Sequence, residues 1–351
     1  MSGEPRFREA PEALVVTGAA GWLGRALLNA VSSRDDPQLP RFGRVRALVN
    51  HPSDVPLVLA AAPGAEVLIG DVTDPSTIGE LIGGVENADV VHAAGVIHPS
   101  SFAQFESVNA GGTKAVVDGA AKAGARRLVH VSSNSPFGCN PASDDLFRPD
   151  EPFNPYMEYG RSKMLAEIAV RDAPDSLETV VIRPPWFYGP FQPARQTRFF
   201  SSIRSGRFPI FGDGTNRRSM VNVESLANAV LRASLAEGVD GNAYWIADAR
   251  PYEMKSVIET VREALADEGY EVKGSIPRFP SAIADAARAA DAALQARRRY
   301  VQEIHVLSEM NQTIACDVSE AERDLGYAAQ QELLPGMRRA VAWCRDNGIT
   351  V

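Results

Sequence analysis

A phenol and an amine four residues apart, Tyr159 and Lys163, are the groups in this chain best suited to moving a proton. On a helix that spacing is about one turn, so both project from one face. A tyrosine near its free pKa of about 10 is a poor base at neutral pH. An adjacent ammonium favours the phenolate and lowers that value. Ser133, at the end of the apolar run Leu128–Val131 and Ser132, adds a hydroxyl that can donate to a substrate oxygen while Tyr159 exchanges its proton. These residue types suit oxidation or reduction at a carbon bearing oxygen.

A redox step of this kind needs a hydride carrier, and the chain offers a cradle for one. Val15-Val16-Thr17-Gly18-Ala19-Ala20-Gly21-Trp22-Leu23-Gly24 is an apolar strand, a glycine-rich turn and the start of a helix. Gly18 permits the tight turn, Gly21 lets backbone approach a pyrophosphate, and Gly24 allows the helix to pack close. Around Trp22 and Leu23 the helix N-terminus presents unpaired N–H groups and a partial positive charge to phosphates. About 20 residues on, an acid normally holds the adenosine ribose and selects NAD. Asn50 takes that place here, beside Arg46 and His51. An amide bonds a ribose hydroxyl without repelling a 2′-phosphate, so NAD and NADP both remain open. Asp71 and Val72 end the third strand, where they either meet the adenine edge or begin the turn Thr73-Asp74-Pro75.

The elements that must position these groups are legible from periodicity. Leu14–Thr17, Val45–Val49, Glu66–Ile69, Asp89–His92, Leu128–Val131 and Thr179–Ile182 read as strands, several apolar on both faces. Leu23–Val31, Ser76–Ile82, Phe105–Lys122 and Tyr156–Arg171 read as helices, with Thr73 or Asp74 capping the second ahead of Pro75. Strand alternating with helix predicts an α/β Rossmann fold, a doubly wound parallel sheet with right-handed crossovers. After Pro184-Pro185 the rhythm breaks into Gly-, Pro- and aromatic-rich loops as far as Gly214. A helix near Glu224–Ala236 and a strand near Ala243–Ile246 return to the sheet. The expected organisation is a disordered tail over 1–11, a dinucleotide-binding domain over 12–185, and a smaller, mostly helical substrate-binding region over 186–351, with about 224–247 rejoining the sheet. Ser281–Arg299, rich in Ala, Asp and Arg, reads as a solvated amphipathic helix.

Composition narrows the class. Of 351 residues, 45% are hydrophobic and 23% charged, as in ordinary globular proteins. A net charge of −8 argues against nucleic acid and anionic membrane as partners. No apolar run approaches the ~18 residues of a spanning helix, and the polar start lacks a signal-peptide layout. The three scattered cysteines make no disulfide framework, and the five histidines show no metal-ligand spacing. The expectation is a cytoplasmic protein that binds a small molecule and holds no metal.

From Ala13 to its C-terminus the chain resembles an extended short-chain dehydrogenase/reductase. That group contains nucleotide-sugar epimerases and dehydratases and 3β-hydroxysteroid-dehydrogenase-like enzymes. The likeness rests on Gly18–Gly24, Asp71-Val72, His92-Ala93-Ala94-Gly95, Asn109-Ala110-Gly111-Gly112-Thr113, Val131-Ser132-Ser133 and Tyr159 with Lys163. It continues through Arg183-Pro184-Pro185-Trp186-Phe187-Tyr188-Gly189-Pro190, Gly212-Asp213-Gly214, Asn216–Met220, Asp317-Val318-Ser319 and Leu325-Gly326-Tyr327. The resemblance implies Ser133, Tyr159 and Lys163 as the catalytic set. Ser135 stands in reserve, since aligning Phe137-Gly138 on the family's Tyr-Gly selects Ser133 over Ser132. It also implies that Ala93, Ala94, Gly95 and Pro185 border an NAD or NADP cofactor, with Tyr159 and Lys163 touching it. A homodimer through the Tyr–Lys helix is implied as well, Met164, Ile168 and the apolar side of Phe105–Lys122 being compatible with it.

The branch is set by positions that pull apart. Nucleotide-sugar members carry asparagine where this chain has Trp186, which is more like the steroid-dehydrogenase branch. Arg218, after the Gly-Asp-Gly turn, sits where sugar enzymes place a phosphate-binding arginine; the alternative is a salt-bridged surface arginine. Arg195, Arg198, Arg204 and Arg207 flank the region and suit an anion or a solvated face. His98 and Asn134 complete the candidate substrate contacts. Asn134 and Ser135 follow Ser133 where sugar dehydratases carry acids, which disfavours elimination of water. On Arg218 the leading expectation is a nucleotide-sugar epimerase. The alternative is a 3β-hydroxysteroid-dehydrogenase-like oxidoreductase or ketoreductase, its larger apolar substrate lined by Trp186, Phe187, Phe191 and Phe199. A third reading is a dinucleotide-sensing module without chemistry, which an intact Ser133, Tyr159 and Lys163 disfavour.

Overall fold

Strands that are apolar on both faces must be covered on both, and the structure, a computed structural model, does this with two helical layers. It describes residues 5–33, 36, 39–85, 87–328 and 333–351, the side chain of Arg195 lying outside the described set. The alternating half runs β1 (Ala13–Thr17), α1 (Trp22–Ser33), β2 (Arg44–Val49), α2 (Val55–Ala61), β3 (Glu66–Ile69), α3 (Pro75–Ile82), β4 (Asp89–His92), α4 (Thr113–Lys122), β5 (Arg127–Val131), α5 (Met157–Arg171) and β6 (Glu178–Arg183). A seventh strand, Ala243–Trp245, lies parallel to β6. The sheet order is Ala243–Trp245, β6, β5, β4, β1, β2, β3. All its pairings are parallel, and β1 sits between β2 and β4 with Val15 opposite Arg46 and Val90. This is the Rossmann arrangement expected from the sequence, with its crevice where strand order reverses beside β1.

One face of the sheet packs Leu23 and Leu27 of α1, Val58 of α2 and Leu226 and Val230 of the helix Val223–Leu235. The other packs Ile78, Leu81, Val116, Val117 and Val170 from α3, α4 and α5. Asp74, rather than Thr73, caps α3: its carboxylate accepts from the backbone N–H of Ser76 at 2.9 Å, with Pro75 at the first position. The short α2 was not anticipated; Pro52 starts the 3-10 turn before it and Pro56 lies in its own first turn, where a proline needs no N–H partner.

The expected single helix over Phe105–Lys122 is instead a π-helical stretch, Phe105–Gly112, running into α4. The wider turn matches a demand of Asn109, whose buried amide bonds both the N–H and C=O of Val96, at 2.8 and 3.0 Å, and the Ser162 hydroxyl. The segment expected to fray also departs from expectation. Among its described residues, Phe7 bridges to Ala236, the Arg8 N–H donates to the Leu235 carbonyl, and the Arg8 side chain pairs with Glu178 at 2.8 Å. Unsatisfied carbonyls at a helix end give this segment a place to bind.

Beyond β6 the chain is less loop-like than its Gly and Pro content implied. Trp186–Tyr188 pairs with Met220–Asn222, and Thr197–Arg204 is a helix. Phe200, Ile203, Val257, Val261, Met337 and Val341 build a second core there. Two further helices, Ser281–Gln295 and Gln302–Glu309, pack against each other and form a cap.

Helix α5 is fixed to the sheet by charge. Glu167 pairs with Arg183 of β6 at 2.8 Å, both side chains fully buried. Arg183 also lies 4.3 Å over the Phe137 ring and donates to the Pro149 carbonyl. Removing one partner strands the other charge, which typically costs about 3–5 kcal/mol. Glu167→Ala is therefore expected to destabilise the protein by about that amount in urea unfolding; a loss below about 1 kcal/mol contradicts the assignment.

Candidate active site

The turn after β1 leaves no room for side chains. Gly18 has φ +69°, and a Cβ there would lie 2.6 Å from the Ala94 nitrogen and 2.7 Å from the Ala93 carbonyl carbon. A Cβ on Gly24 would come within 2.2 Å of the Gly18 carbonyl oxygen. The first turn of α1, with Trp22 and Leu23, thus abuts the turn while the Ala93–Gly95 backbone lines its far side. This cradle of bare backbone and helix N-terminus fits a dinucleotide pyrophosphate. Trp22 leans out of it, donating to the Pro190 carbonyl at 2.7 Å and touching Phe187 at 4.8 Å between centroids. Arg25 reaches the Phe191 carbonyl and lies 5.6 Å from the Trp343 ring. Gly18→Ala is expected to raise the dissociation constant for NAD at least 10-fold, read by quenching of tryptophan fluorescence; unchanged binding contradicts the cradle.

At the β2 end Asn50 is exposed. Arg46, offered as a phosphate partner, is directed elsewhere: it pairs with Glu66 at 3.2 Å and donates to the Leu81 and Gly83 carbonyls. His51 bonds Ser53, capping the turn that follows. Asp71 accepts from the N–H and hydroxyl of Thr73, both at 2.8 Å, so it begins a turn as the second of its two readings required; Val72 is buried beside it.

Beyond the cradle, β5 and α5 bring the candidate proton-transfer groups together. Ser132 is committed to Glu167, which leaves Ser133 to approach Tyr159. Ser133 also accepts from the Ser135 N–H at 3.3 Å, while Asn134 and Ser135 are buried in the turn. Lys163 is buried and donates to the Val131 carbonyl at 2.7 Å. The electrostatics differ from the simple expectation. Dense surroundings push the Tyr159 phenol up to about 12, the Ser133 hydrogen bond offsetting only part of this, and Lys163 is not among the groups that lower it. Burial pulls Lys163 itself down to about 8, with Glu167 opposing. The ammonium is turned to a carbonyl rather than to the phenol, so Tyr159 rests as a protonated acid.

Further neighbours of the site become apparent in the structure. Met157, two residues before Tyr159, holds a left-handed φ of 55°. His92 and His130 stack at 5.3 Å beneath Lys163, both kept neutral by burial and that charge, His92 falling to about 3. His92 bridges Thr17 and Thr113 at 2.7 and 2.9 Å.

The cap closes the substrate side. Phe105 stands 6.3 Å from Tyr159 and 5.4 Å from Tyr300, whose hydroxyl pairs with His98 at 2.7 Å. His98 thus meets the cap. Gln295 accepts from the Glu158 N–H at 3.0 Å, and Ser308 pairs with the Tyr156 hydroxyl at 2.6 Å. Trp186 and Arg218 lie together: the buried guanidinium is 4.6 Å over the indole and donates to the Glu309 carbonyl, while its Nε and Nη1 have no partner among the described residues. Of the flanking arginines, Arg204 donates to the Val351 carbonyl, away from this cluster.

A match to the family model "NAD dependent epimerase/dehydratase family" covers residues 14–247, from the cradle to the last sheet strand. The chain belongs to this family. It is 45% identical over 342 residues to the protein y4nL of Sinorhizobium fredii, covering 95% of this chain and 96% of that one. It is 28% identical to the 4-hydroxy-2-methyl-3-oxo-4-farnesyl-3,4-dihydroquinoline-1-oxide ketoreductase of Stigmatella aurantiaca, over 93% and 95% of the two chains. Among solved structures, DesIV, the dTDP-glucose 4,6-dehydratase of Streptomyces venezuelae crystallised with NAD and TYD, superposes with a TM-score of 0.75 at 22% identity over 95% and 97%. As a member of this epimerase/dehydratase family the protein is an NAD(P)-dependent enzyme of the short-chain dehydrogenase/reductase type acting on a small molecule. Among the described residues no helix is long and apolar enough to cross a membrane.

The cap adds a pH-sensitive anchor. Burial lowers the His305 pKa, but its 2.8 Å bond to Asp291 and the Glu309 charge outweigh this, leaving it raised. A raised folded value means the contribution is fully present below about 6.5, the free imidazole value, and is lost as pH rises through the folded one. Hydrogen-exchange protection over 281–309, corrected for the intrinsic pH dependence of amide exchange, is expected to be higher at pH 6 than at pH 8.5, with the difference absent in His305→Leu. Equal protection at both pH values in the parent chain contradicts the anchor.

Proposed function

We propose that this enzyme interconverts a secondary alcohol and a ketone on a large, mainly apolar substrate, with NAD as its hydride carrier. The observation that carries the reading is the pairing of Trp186 with Arg218. The guanidinium on which a sugar-diphosphate site would depend lies against the indole and the cap backbone. The ring occupies the position that the sugar branch gives to asparagine. The likeness to a ketoreductase along nearly the whole chain supports the same choice. NAD is preferred over NADP because Arg46, with Arg44, is spent on Glu66 and His51 on a turn.

In this reading Gly18, Gly21, Trp22, Leu23, Gly24, Asn50, Val72, Ala93, Ala94, Gly95 and Pro185 hold the cofactor, which supplies hydride when bound, while Asp71 shapes the turn beside it. Tyr159, protonated at neutral pH, gives its proton to the substrate oxygen during reduction and must lose it before oxidation. Ser133 donates to the same oxygen, and Lys163 orients the cofactor's ribose. With no acid beside Ser133, the proton inventory serves one oxygen, which is the need of a dehydrogenase and not of a dehydratase. A homodimer through α5 fits the exposure of Ile168 on its outer face, and light scattering of the purified chain checks it.

Nucleotide-sugar epimerisation is the second reading, and one observation favours it: two nitrogens of the buried Arg218 lack a partner among the described residues, as a phosphate ligand would require. Turnover separates the two. Steady NADH oxidation on hydrophobic ketones, with UDP-, dTDP- and GDP-sugars inert, is the expected result; epimerised sugar with no net NADH change reverses the order. Tyr159→Phe is expected to lower kcat by about 100-fold or more, and full activity in that variant overturns the proton donor. Alcohol oxidation is expected to accelerate from pH 7 to 10 while ketone reduction does not, because only oxidation requires a phenolate whose resting value lies near 12.

A further inference from the structure

Outside the crevice, a cleft of about 500 Å³ opens between the loop after β4 and the end of the first cap helix. Ser100, Ser101 and Phe102 form one wall; Arg298, Arg299 and Tyr300 form the other. Arg298 closes that helix with a left-handed φ of 57°, and the turn sets three consecutive residues along the same cleft. The Arg298 guanidinium lies 5.3 Å over Phe102, spanning the two walls. Among the described residues neither Arg298 nor Arg299 has a carboxylate partner, so both guanidinium groups are open to a ligand from solvent. Two unpaired guanidinium groups with serine hydroxyls opposite make a cationic cleft on a protein of net charge −8.

The cleft also adjoins the proton-transfer groups. Tyr300 is part of its inner wall; Phe105 touches Tyr300 at 5.4 Å and Tyr159 at 6.3 Å. Two rings, Tyr300 and Phe105, therefore stand between the basic mouth and the phenol, with His98 bonded to the Tyr300 hydroxyl and His305 beside the Tyr300 ring. We propose that this cleft binds an anionic group, carboxylate or phosphate, at the far end of an extended apolar substrate whose ketone or alcohol lies at Tyr159. The inference rests on the oxidoreductase reading above and narrows it to amphiphilic acids. Guanidinium forks suit either oxyanion, and Ser101 supplies a neutral donor beside them, the Ser100 hydroxyl being given to Gln104 at 3.0 Å.

The test compares a medium-chain ketone bearing a terminal carboxylate, its methyl ester, and the corresponding terminal phosphate, with the full chain and NADH. The parent enzyme is expected to prefer both anions to the ester by at least 10-fold in kcat/KM, the preference shrinking as salt rises. In Arg298→Ala/Arg299→Ala the anion-to-ester ratio falls toward one, and in Arg298→Glu/Arg299→Glu it inverts; a preference for carboxylate over phosphate, or the reverse, identifies the source. A ratio unchanged by either double variant overturns the cleft, as does an equal loss on acid and ester. Calorimetric binding of the same compounds separates the two levels. Arginine-dependent binding of the anions without turnover upholds the cleft and sinks the oxidoreductase reading. Turnover of acid and ester alike does the opposite.

Discussion

Everything at the centre of this molecule depends on one ion pair in a place where charges are costly. Glu167 and Arg183 are both fully buried, and the desolvation of each is offset only because the other stands 2.8 Å away. The carboxylate also receives the Ser132 hydroxyl, and the guanidinium lies on Phe137 and reaches the Pro149 carbonyl. One bridge therefore joins α5, β5, β6 and the loop leading into α5. Helical geometry does the rest: Lys163 is one turn before Glu167, and Tyr159 one turn before that. A hydrophobic pair of similar volume could be equally stable, but it would not dictate the rotation of α5 or separate the tasks of the two serines.

The charge balance around Lys163 follows from the same enclosure. A second positive charge beside a buried ammonium is unfavourable, and His92 and His130, stacked beneath it, are held neutral by burial and by that neighbour. His92 is then available as a neutral bridge between Thr17, at the end of β1, and Thr113, at the start of α4. The Thr17 hydroxyl in turn accepts from the Ala94 N–H, so the two strand ends that form the cofactor cradle are held at a common height. Burial that raises the phenol and lowers the amine drives their affinities for a proton apart, so the phenol keeps its proton more firmly than the amine does.

Features set by local chemistry could be read from the sequence. Strand after strand matched because an apolar run flanked by turn residues has few alternatives, and the Gly18–Gly24 turn matched because only glycine fits where backbones meet within 3 Å. What escaped was non-local. The π-helical turn answers Asn109, whose partners at Val96 and Ser162 are far along the chain. The packing of residues 5–11 answers a helix end more than two hundred residues away. The direction of Lys163 could not be inferred from spacing, since spacing fixes the face of a helix and not which acceptor a flexible amine selects. Arg218 shows the same limit: a motif placed it near a ligand, but the indole beneath it belongs to another strand.

The seam between the cap and the body is lined with polar groups. Asp291, Gln295, His305 and Ser308 are buried between the cap and α5, where each is bonded, so the closed state leaves few polar groups unsatisfied. Their partners on the body are Tyr156 and Glu158, in the turn where Met157 adopts a left-handed backbone and Tyr159 follows. A cap held by hydrogen bonds gives up little free energy on opening, because water replaces each bond at a net cost of about 1 kcal/mol. A cap sealed by leucines would lose far more with each exposed side chain. Polar anchoring thus ties the cap to the geometry of the turn that carries the phenol.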